Sequence, residues 1–267
     1  LKRRTFIAAC PSEEIALSAP VTLIKMGVRP SIIEFLDQWT VDCLQKYTGK
    51  EIFPGLGANP VLLIELDSPG ASLDTESKIL EDWLAEVALQ SSVAKNETEA
   101  EDFWEVRRQG SSSMKKLADT KLNEDIVVPL DRQVELVHFV SSLREKSKLK
   151  IGVFGHCGDG NLHVNFMYNE SDAEETNRAV GALRELMQKV VELGGAISGE
   201  HGVGLAKTPF VRMQFNDAEW RTMKSIKQAL DPKGILNPGK IFDVFNPWEQ
   251  KKVSAPLSWE RTEEDVP

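Results

Sequence analysis

Two apolar runs, Lys150–His156 and Asn161–Tyr168, are separated only by Cys157-Gly158-Asp159-Gly160. Strand-like runs joined by so short a glycine-rich segment form an antiparallel hairpin, and a hairpin brings His156 and His163 together. Two imidazoles a few Å apart repel when both are charged, but they are good neighbours when both are neutral and share a cation. Glu200, in the later segment SGEHGVG (Ser198–Gly204), offers the carboxylate that would complete a His2Glu set with positions left open for water or substrate. His201 follows Glu200 directly, so in an extended segment it points elsewhere and stays free as a proton acceptor. Asp159, between two glycines, reads as a turn former, with fourth ligand as the alternative.

Around this hairpin, residues 1–168 alternate short apolar runs with amphipathic ones, which predicts an α+β region. The other strands are expected at Thr5–Cys10, Ser31–Leu36, Val61–Asp67 and Asp125–Pro129. Helices are expected from the N-cap Ser12, over Thr75–Leu89 and over Asp131–Glu145, with Pro20 kinking or breaking the first. FPGLGANP (53–60) precedes a strand instead of opening a helix, so it reads as a turn and not as a phosphate loop. His138 lies on the helix of the apolar stripe Leu136, Val137 and Val140 and reads as a satisfied polar residue.

Residues 169–242 read as a helical region. Ser171 and Glu174 suggest a capping box, followed by the stripe Val180, Leu183, Met187 and Val190 as far as Gly194 and Gly195. A second helix starts near Asn216, with Trp220, Met223, Ile226 and Leu230 as its buried face, and stops at Asp231-Pro232. Residues 243–267 form a polar tail, loosely attached beyond about Val244.

A net charge of -9 argues against a nucleic-acid surface, so no nucleic-acid partner is expected. Three cysteines at spacings that make no CxxC pair argue against a disulfide framework and for a reducing compartment. No apolar run approaches the ~18 residues of a membrane span, and no signal peptide opens the chain, which gives a cytoplasmic expectation. The chain starts at Leu1, directly in a strand-like segment, as a piece of something longer would.

GHCGDGNLH (Gly155–His163), SGEHGVG and DPKGILNPGK (Asp231–Lys240), in that order, resemble the C-terminal portion of the FAD-linked oxidases that act on 2-hydroxy acids. That family includes the glycolate oxidase FAD subunit and the D-lactate and D-2-hydroxyglutarate dehydrogenases. FWEVRRQGSSS (103–113) and KLNEDIVVPLDR (121–132) resemble its substrate-binding segment, and the likeness runs from about residue 1 to Phe242.

The resemblance implies a ferredoxin-like antiparallel sheet covered by helices, with C-terminal helices returning to a flavin domain. It implies His156, His163 and Glu200 as ligands of a divalent metal (Zn, Mn or Fe) and His201 as the base. Arg107 would grip the substrate carboxylate, as a guanidinium fork suits it to do, with Arg108 as the alternative. Ser111 and Asn123 fall near other substrate contacts, and Asn165, on the strand face of His163, would reach the same pocket. Asn237 and Lys240 resemble residues beside the flavin, although helix-stop and turn duties explain DPKG and NPG equally well. The glycine-rich pyrophosphate loop of the family is absent from this sequence, so FAD would be held largely by an FAD-binding domain of the same enzyme. Other oxidase subunits are further expected partners, and through them a place at the periphery of the inner membrane. The implied reaction oxidises a glycolate- or D-lactate-type acid to the 2-oxo acid by metal-assisted hydride transfer to flavin. Two alternatives are a metal-binding or ligand-sensing module without redox activity and a His2Glu metal hydrolase.

Overall fold

The computed structural model describes residues 2–238 and 240–242. The tail expected over 243–267 lies outside the described residues. In chain order the elements are β1 (Arg4–Ala9), α1 (Glu13–Lys25), β2 (Ile32–Leu36), α2 (Gln38–Thr48), β3 (Val61–Leu66), α3 (Ala71–Val87), β4 (Gln90–Val93) and α4 (Glu97–Met114). They continue with β5 (Thr120–Val127), α5 (Gln133–Ser147), β6 (Lys150–His156), β7 (Asn161–Tyr168), α6 (Ala173–Glu192), α7 (Val211–Gln214) and α8 (Asp217–Leu230).

The strands form one sheet in the order β4-β1-β3-β2-β6-β7-β5, and the paired strands run antiparallel. β1 and β2 are parallel to each other with β3 between them, and β5 and β6 are parallel with β7 between them. The sheet is thus two split βαβ units, each with its crossover helix, α1 or α5, and the first has the ferredoxin-like order. They meet at β2 and β6, where Phe35 pairs with Gly155 and Leu36 with Phe154.

Period-2 alternation gives the two faces opposite characters. One face carries Phe6, Ala8, Phe35, Leu62, Ile64, Ile126, Val153, Val164 and Phe166, all buried in a core with residues of α1, α3, α5 and α6. On the other face, a smaller core of Ile7, Leu36, Leu63, Met114, Phe154 and Met167 lies under α2 and α4. On β5, β6 and β7 that face places Asn123 opposite Asn165, Asp125 opposite His163, His163 opposite Phe154, and Asn161 opposite His156, while Thr5, Glu34 and Glu65 add polar groups on β1, β2 and β3.

Four expectations need correction. α1 runs unbroken through Pro20, whose ring is buried beside Ala16, Ala19 and Leu23, so packing outweighs the lost backbone bond. The N-cap of α6 is Asp172, which accepts from the amides of Glu174 and Glu175, so Ser171 does not cap. The strand expected at Asp125–Pro129 begins at Thr120 and ends at Val127. α8 starts at Asn216 with a full capping box to Glu219, but its apolar stripe is not buried: Ile226 is 56% and Leu230 80% exposed. Ile235 and Leu236, at 71% and 58%, extend this open apolar surface.

The hairpin connection leaves no room for side chains at one point. Gly160 has φ +86, and a Cβ there would overlap the carbonyl oxygen of Val128, just past the end of β5. Gly160→Ala is therefore expected to lower stability by about 2–3 kcal/mol, seen as a lower urea midpoint at unchanged slope. An unshifted midpoint would contradict this packing.

Candidate active site

The β6–β7 hairpin places the His156 and His163 rings edge to face with centroids 5.4 Å apart. Glu200 approaches from the loop after α6. Its Oε1 lies 3.4 Å from Nε2 of His156, 3.6 Å from Nε2 of His163 and 3.7 Å from Nε2 of His201. Ligand atoms of His156, His163 and Glu200 all fall within 4.8 Å of one another.

That loop is gathered onto the sheet by one carboxylate. Buried Asp125 accepts hydrogen bonds from the successive amides of Gly199 (2.9 Å), Glu200 (3.0 Å) and His201 (2.9 Å), and Ser198 Oγ adds a fourth at 3.3 Å. Asn161 Nδ2 completes the set at 2.7 Å. Burial opposes the charge of Asp125, but these donors and Lys207 hold its carboxyl well below the usual range. Gly199 is required here because a Cβ would overlap the Asn161 amide and come within 2.6 Å of Asp125 Oδ1. Three consecutive amides curled around one anion cannot be extended. His201 therefore does not point away from Glu200 as expected; its ring stacks on His163 at 5.3 Å.

Asp125, His163 and His201 also approach closely enough to be read as a metal triad. The Asp125 carboxylate is already occupied by the loop, which leaves His156, His163 and Glu200 as the better donor set. Burial, with the Arg107 cation nearby, pushes the His163 imidazole down to about 4, which leaves it neutral at pH 7, the form that can coordinate a metal. Its Nδ1 is buried without a partner in the described structure. His156 donates from Nδ1 to Glu34 Oε1, a bond that raises the imidazole's pKa and leaves Nε2 facing Glu200. These features fit a divalent cation held by two imidazoles and a carboxylate.

Glu34 Oε2 accepts from Arg107 Nε at 2.8 Å. Burial opposes the charge of Glu34, yet its bonds to His156 and Arg107 keep the carboxyl below its ordinary value. Arg107 is half-buried on α4, with its guanidinium 4.6 Å from the Phe154 ring centroid. Arg108 points to solvent and pairs with Glu101 and Glu105, so it does not replace Arg107. Ser111 accepts from Lys121 Nζ at 2.7 Å, and Lys121 lies 5.8 Å from the same Phe154 ring. Burial and the cations of Lys115 and Arg107 lower the Lys121 ammonium to about 8.

Asn165 is fully buried, donates to the His163 carbonyl and has an unpartnered Oδ1. Asn123 sits opposite it in register but is exposed. Asn237 and Lys240 are not drawn into this cluster by any described bond; Lys240 Nζ bonds Asn237 Oδ1 at 3.1 Å beside the exposed Ile235 and Leu236. Asp159 is an exposed turn former accepting from the Asn161 amide, and His138 bonds Glu14 on the surface. Sequence reasoning missed Glu34, Lys121, Asp125 and Phe154. Glu34 had a signal as the lone carboxylate in the apolar run Ser31–Leu36, and Lys121, Asn123 and Asp125 had one in their period-2 spacing.

The family described as "FAD linked oxidases, C-terminal domain" matches residues 2–241. The chain belongs to this family. Among curated relatives, it is 34% identical over 241 residues to the glycolate oxidase subunit GlcD of Bacillus subtilis, covering 90% of this chain and 51% of that protein. It is 33% identical to a D-lactate dehydrogenase of Anaerostipes hadrus, covering 79% and 46%. The chain thus spans about half the length of the curated relatives it matches. Its fold is similar to that of about half of p-cresol methylhydroxylase, with a TM-score of 0.67 at 14% identity over 91% of this chain and 53% of that one. A 4-ethylphenol oxidase from Gulosibacter chungangensis gives a TM-score of 0.66 at 14% identity over 92% and 54%.

If Asp125 gathers the loop as described, Asp125→Ala should speed hydrogen exchange at the Glu200 and His201 amides by about 10-fold or more, while the β6–β7 amides keep their protection. Uniform loss, or no change, in an exchange measurement would count against this role.

Proposed function

We propose that this chain is the substrate-facing part of a flavin-dependent oxidoreductase that oxidises a small 2-hydroxy acid, of the glycolate or D-lactate type, to the 2-oxo acid. One observation carries the reading: the convergence of His156, His163 and Glu200 beside His201, with Arg107 joined to the same cluster through Glu34. The names of the relatives support the substrate class. In this reading residues 1–168 are the substrate or cap region and residues 169–242 lead back to the flavin-binding part of the enzyme. The open apolar surface of Ile226, Leu230, Ile235 and Leu236 suits such a contact. The protein would work in the cytoplasm, with oxidase subunits as further partners; among the described residues no helix is long and apolar enough to cross a membrane.

His156, His163 and Glu200 would hold a divalent cation, Zn, Mn or Fe, whose Lewis acidity makes an α-hydroxyl a better proton donor. FAD would be held mainly by the rest of the enzyme, with Asn237 and Lys240 as this chain's residues toward it, and when bound would supply the hydride acceptor. Arg107 keeps Nε on Glu34 and has its two terminal nitrogens left for a carboxylate, with Lys121 as a second cation on the same side of Phe154. Asn165 Oδ1, buried and unpartnered, is an acceptor for a substrate hydrogen. His201 would take the hydroxyl proton at Nε2. Ser111 orients Lys121, and Asn123 lines the outer end of the site.

Metal analysis of the purified chain tests the seat. His156→Ala and His163→Ala should each abolish stoichiometric binding, and metal retained by both variants would sink the reading. Joined to a flavin-bearing partner domain, the chain should bleach flavin on addition of glycolate or D-lactate; no reduction by any 2-hydroxy acid would refute the assigned activity. A protonated Lys121 attracts the substrate carboxylate, so affinity should weaken as pH rises through about 8 and the ammonium loses its charge. That step should vanish in Lys121→Met when affinity is measured across the same pH range.

A further inference from the structure

We propose that Glu34 is a positioning residue that joins the metal seat to the carboxylate grip, fixing the tautomer of His156 with one oxygen and the direction of Arg107 with the other. This inference rests on the reading given under Proposed function. Glu34 lies on β2, in the first split βαβ unit, while His156 ends β6 in the second and Arg107 is on α4 between them. Its side chain is 3% exposed, and both of its oxygens are engaged: Oε1 with His156 Nδ1 and Oε2 with Arg107 Nε.

The chemistry of each bond is directional. A carboxylate only accepts, so the proton between Glu34 and His156 belongs to Nδ1, and Nε2 keeps its lone pair toward Glu200 and the space shared with His163. A carboxylate behind a metal-binding imidazole also raises its basicity. On the other side, holding Arg107 by Nε leaves the paired terminal nitrogens free, which is the edge of guanidinium that meets a carboxylate bidentately. Because one rigid carboxylate carries both, a shift that tilts the imidazole also swings the guanidinium. The cation site and the anion site are thereby held in fixed relation although they sit on different elements.

Substitution by Gln breaks this symmetry. Its single oxygen can stand at only one of the two acceptor positions, and its amide NH2 at the other faces a donor. With NH2 toward His156, the imidazole must accept at Nδ1 and carry its proton on Nε2, the nitrogen meant for the metal. Substitution by Asp keeps both oxygens but withdraws them by one methylene, so both bonds cannot be made at once.

The test uses the 267-residue chain as it stands, the native sequence beside E34Q and E34D. Histidine tautomers and the Arg107 Nε–H signal are read by 1H–15N NMR at a pH where the imidazoles are neutral, and Zn2+ alone is titrated by calorimetry. The native chain is expected to carry the His156 proton on Nδ1. E34Q should shift that proton toward Nε2, speed exchange of the Arg107 Nε–H, and weaken Zn2+ binding about 10–100-fold. E34D should fall between the two. A native His156 protonated on Nε2, or an E34Q variant with unchanged tautomer and unchanged Zn2+ affinity, overturns the inference. If the native chain takes up no Zn2+, Mn2+ or Fe2+, the metal reading fails by itself, and the tautomer comparison still decides the role of Glu34. If circular dichroism shows E34Q unfolded, the native tautomer and E34D decide in the same way.

Discussion

The Asp125 carboxylate is the point on which the site depends. Glu200 and His201 belong to a loop with no regular secondary structure, and nothing in its local sequence would hold their side chains against a sheet. A buried anion that accepts three successive amides does so, because charge-assisted bonds to N–H groups are strong where water is excluded. Lys207, further along the same loop, donates to the Asp125 carbonyl and lies 3.9 Å from the carboxylates of both Glu124 and Asp125. Burial, only partly offset by Lys207, pushes Glu124 up to about 7, whereas Asp125 stays ionised under its set of donors. Neighbours on one strand thus differ in charge tendency because one is solvated by protein and the other is not.

Helix α4 is set on the sheet by polar contacts as much as by packing. Trp104 Nε1 donates to buried Glu65 at 3.4 Å, Arg107 to Glu34, and Ser111 receives Lys121, so residues at helical spacing each meet a charged side chain from a strand. Buried charges of this kind contribute little net stability against apolar replacements, but losing one partner strands the other. Directional contacts also resist sliding along the sheet better than an apolar face does, which keeps Arg107 over Phe154.

The hairpin and its histidines were legible because CGDG interrupts two runs rich in Val, Ile and Phe, and few folds accommodate that pattern. The caps at Ser12 and Asn216 and the stop at Gly194 were legible for the same local reason. β5 is longer than its apolar pattern implies because Lys121, Asn123 and Asp125 lie on the polar side of the strand, where alternation carries polar contacts instead of a core. β4, polar and largely exposed, and α4, rich in Glu, Arg and Ser, offered little apolar periodicity at all. The exposed stripe of α8 shows the opposite case: a periodic apolar face implies burial, but among the described residues nothing covers Ile226 and Leu230. Glu34 escaped notice because its meaning lies in partners that come from α4 and β6, distant in sequence.

The join between β2 and β6 has a consequence for how the protein comes together. Each split βαβ unit closes its own ladder, eight register pairs long between β5 and β7, whereas the ladder uniting them holds two register pairs. The Glu34–His156 bond spans this short join. The second unit and the loop after α6 carry His156, His163 and Glu200, but Glu34, which orients His156, comes from the first. The oriented form of His156 therefore exists only after the units have met, so under the proposed function a ligand held there would also stabilise their union.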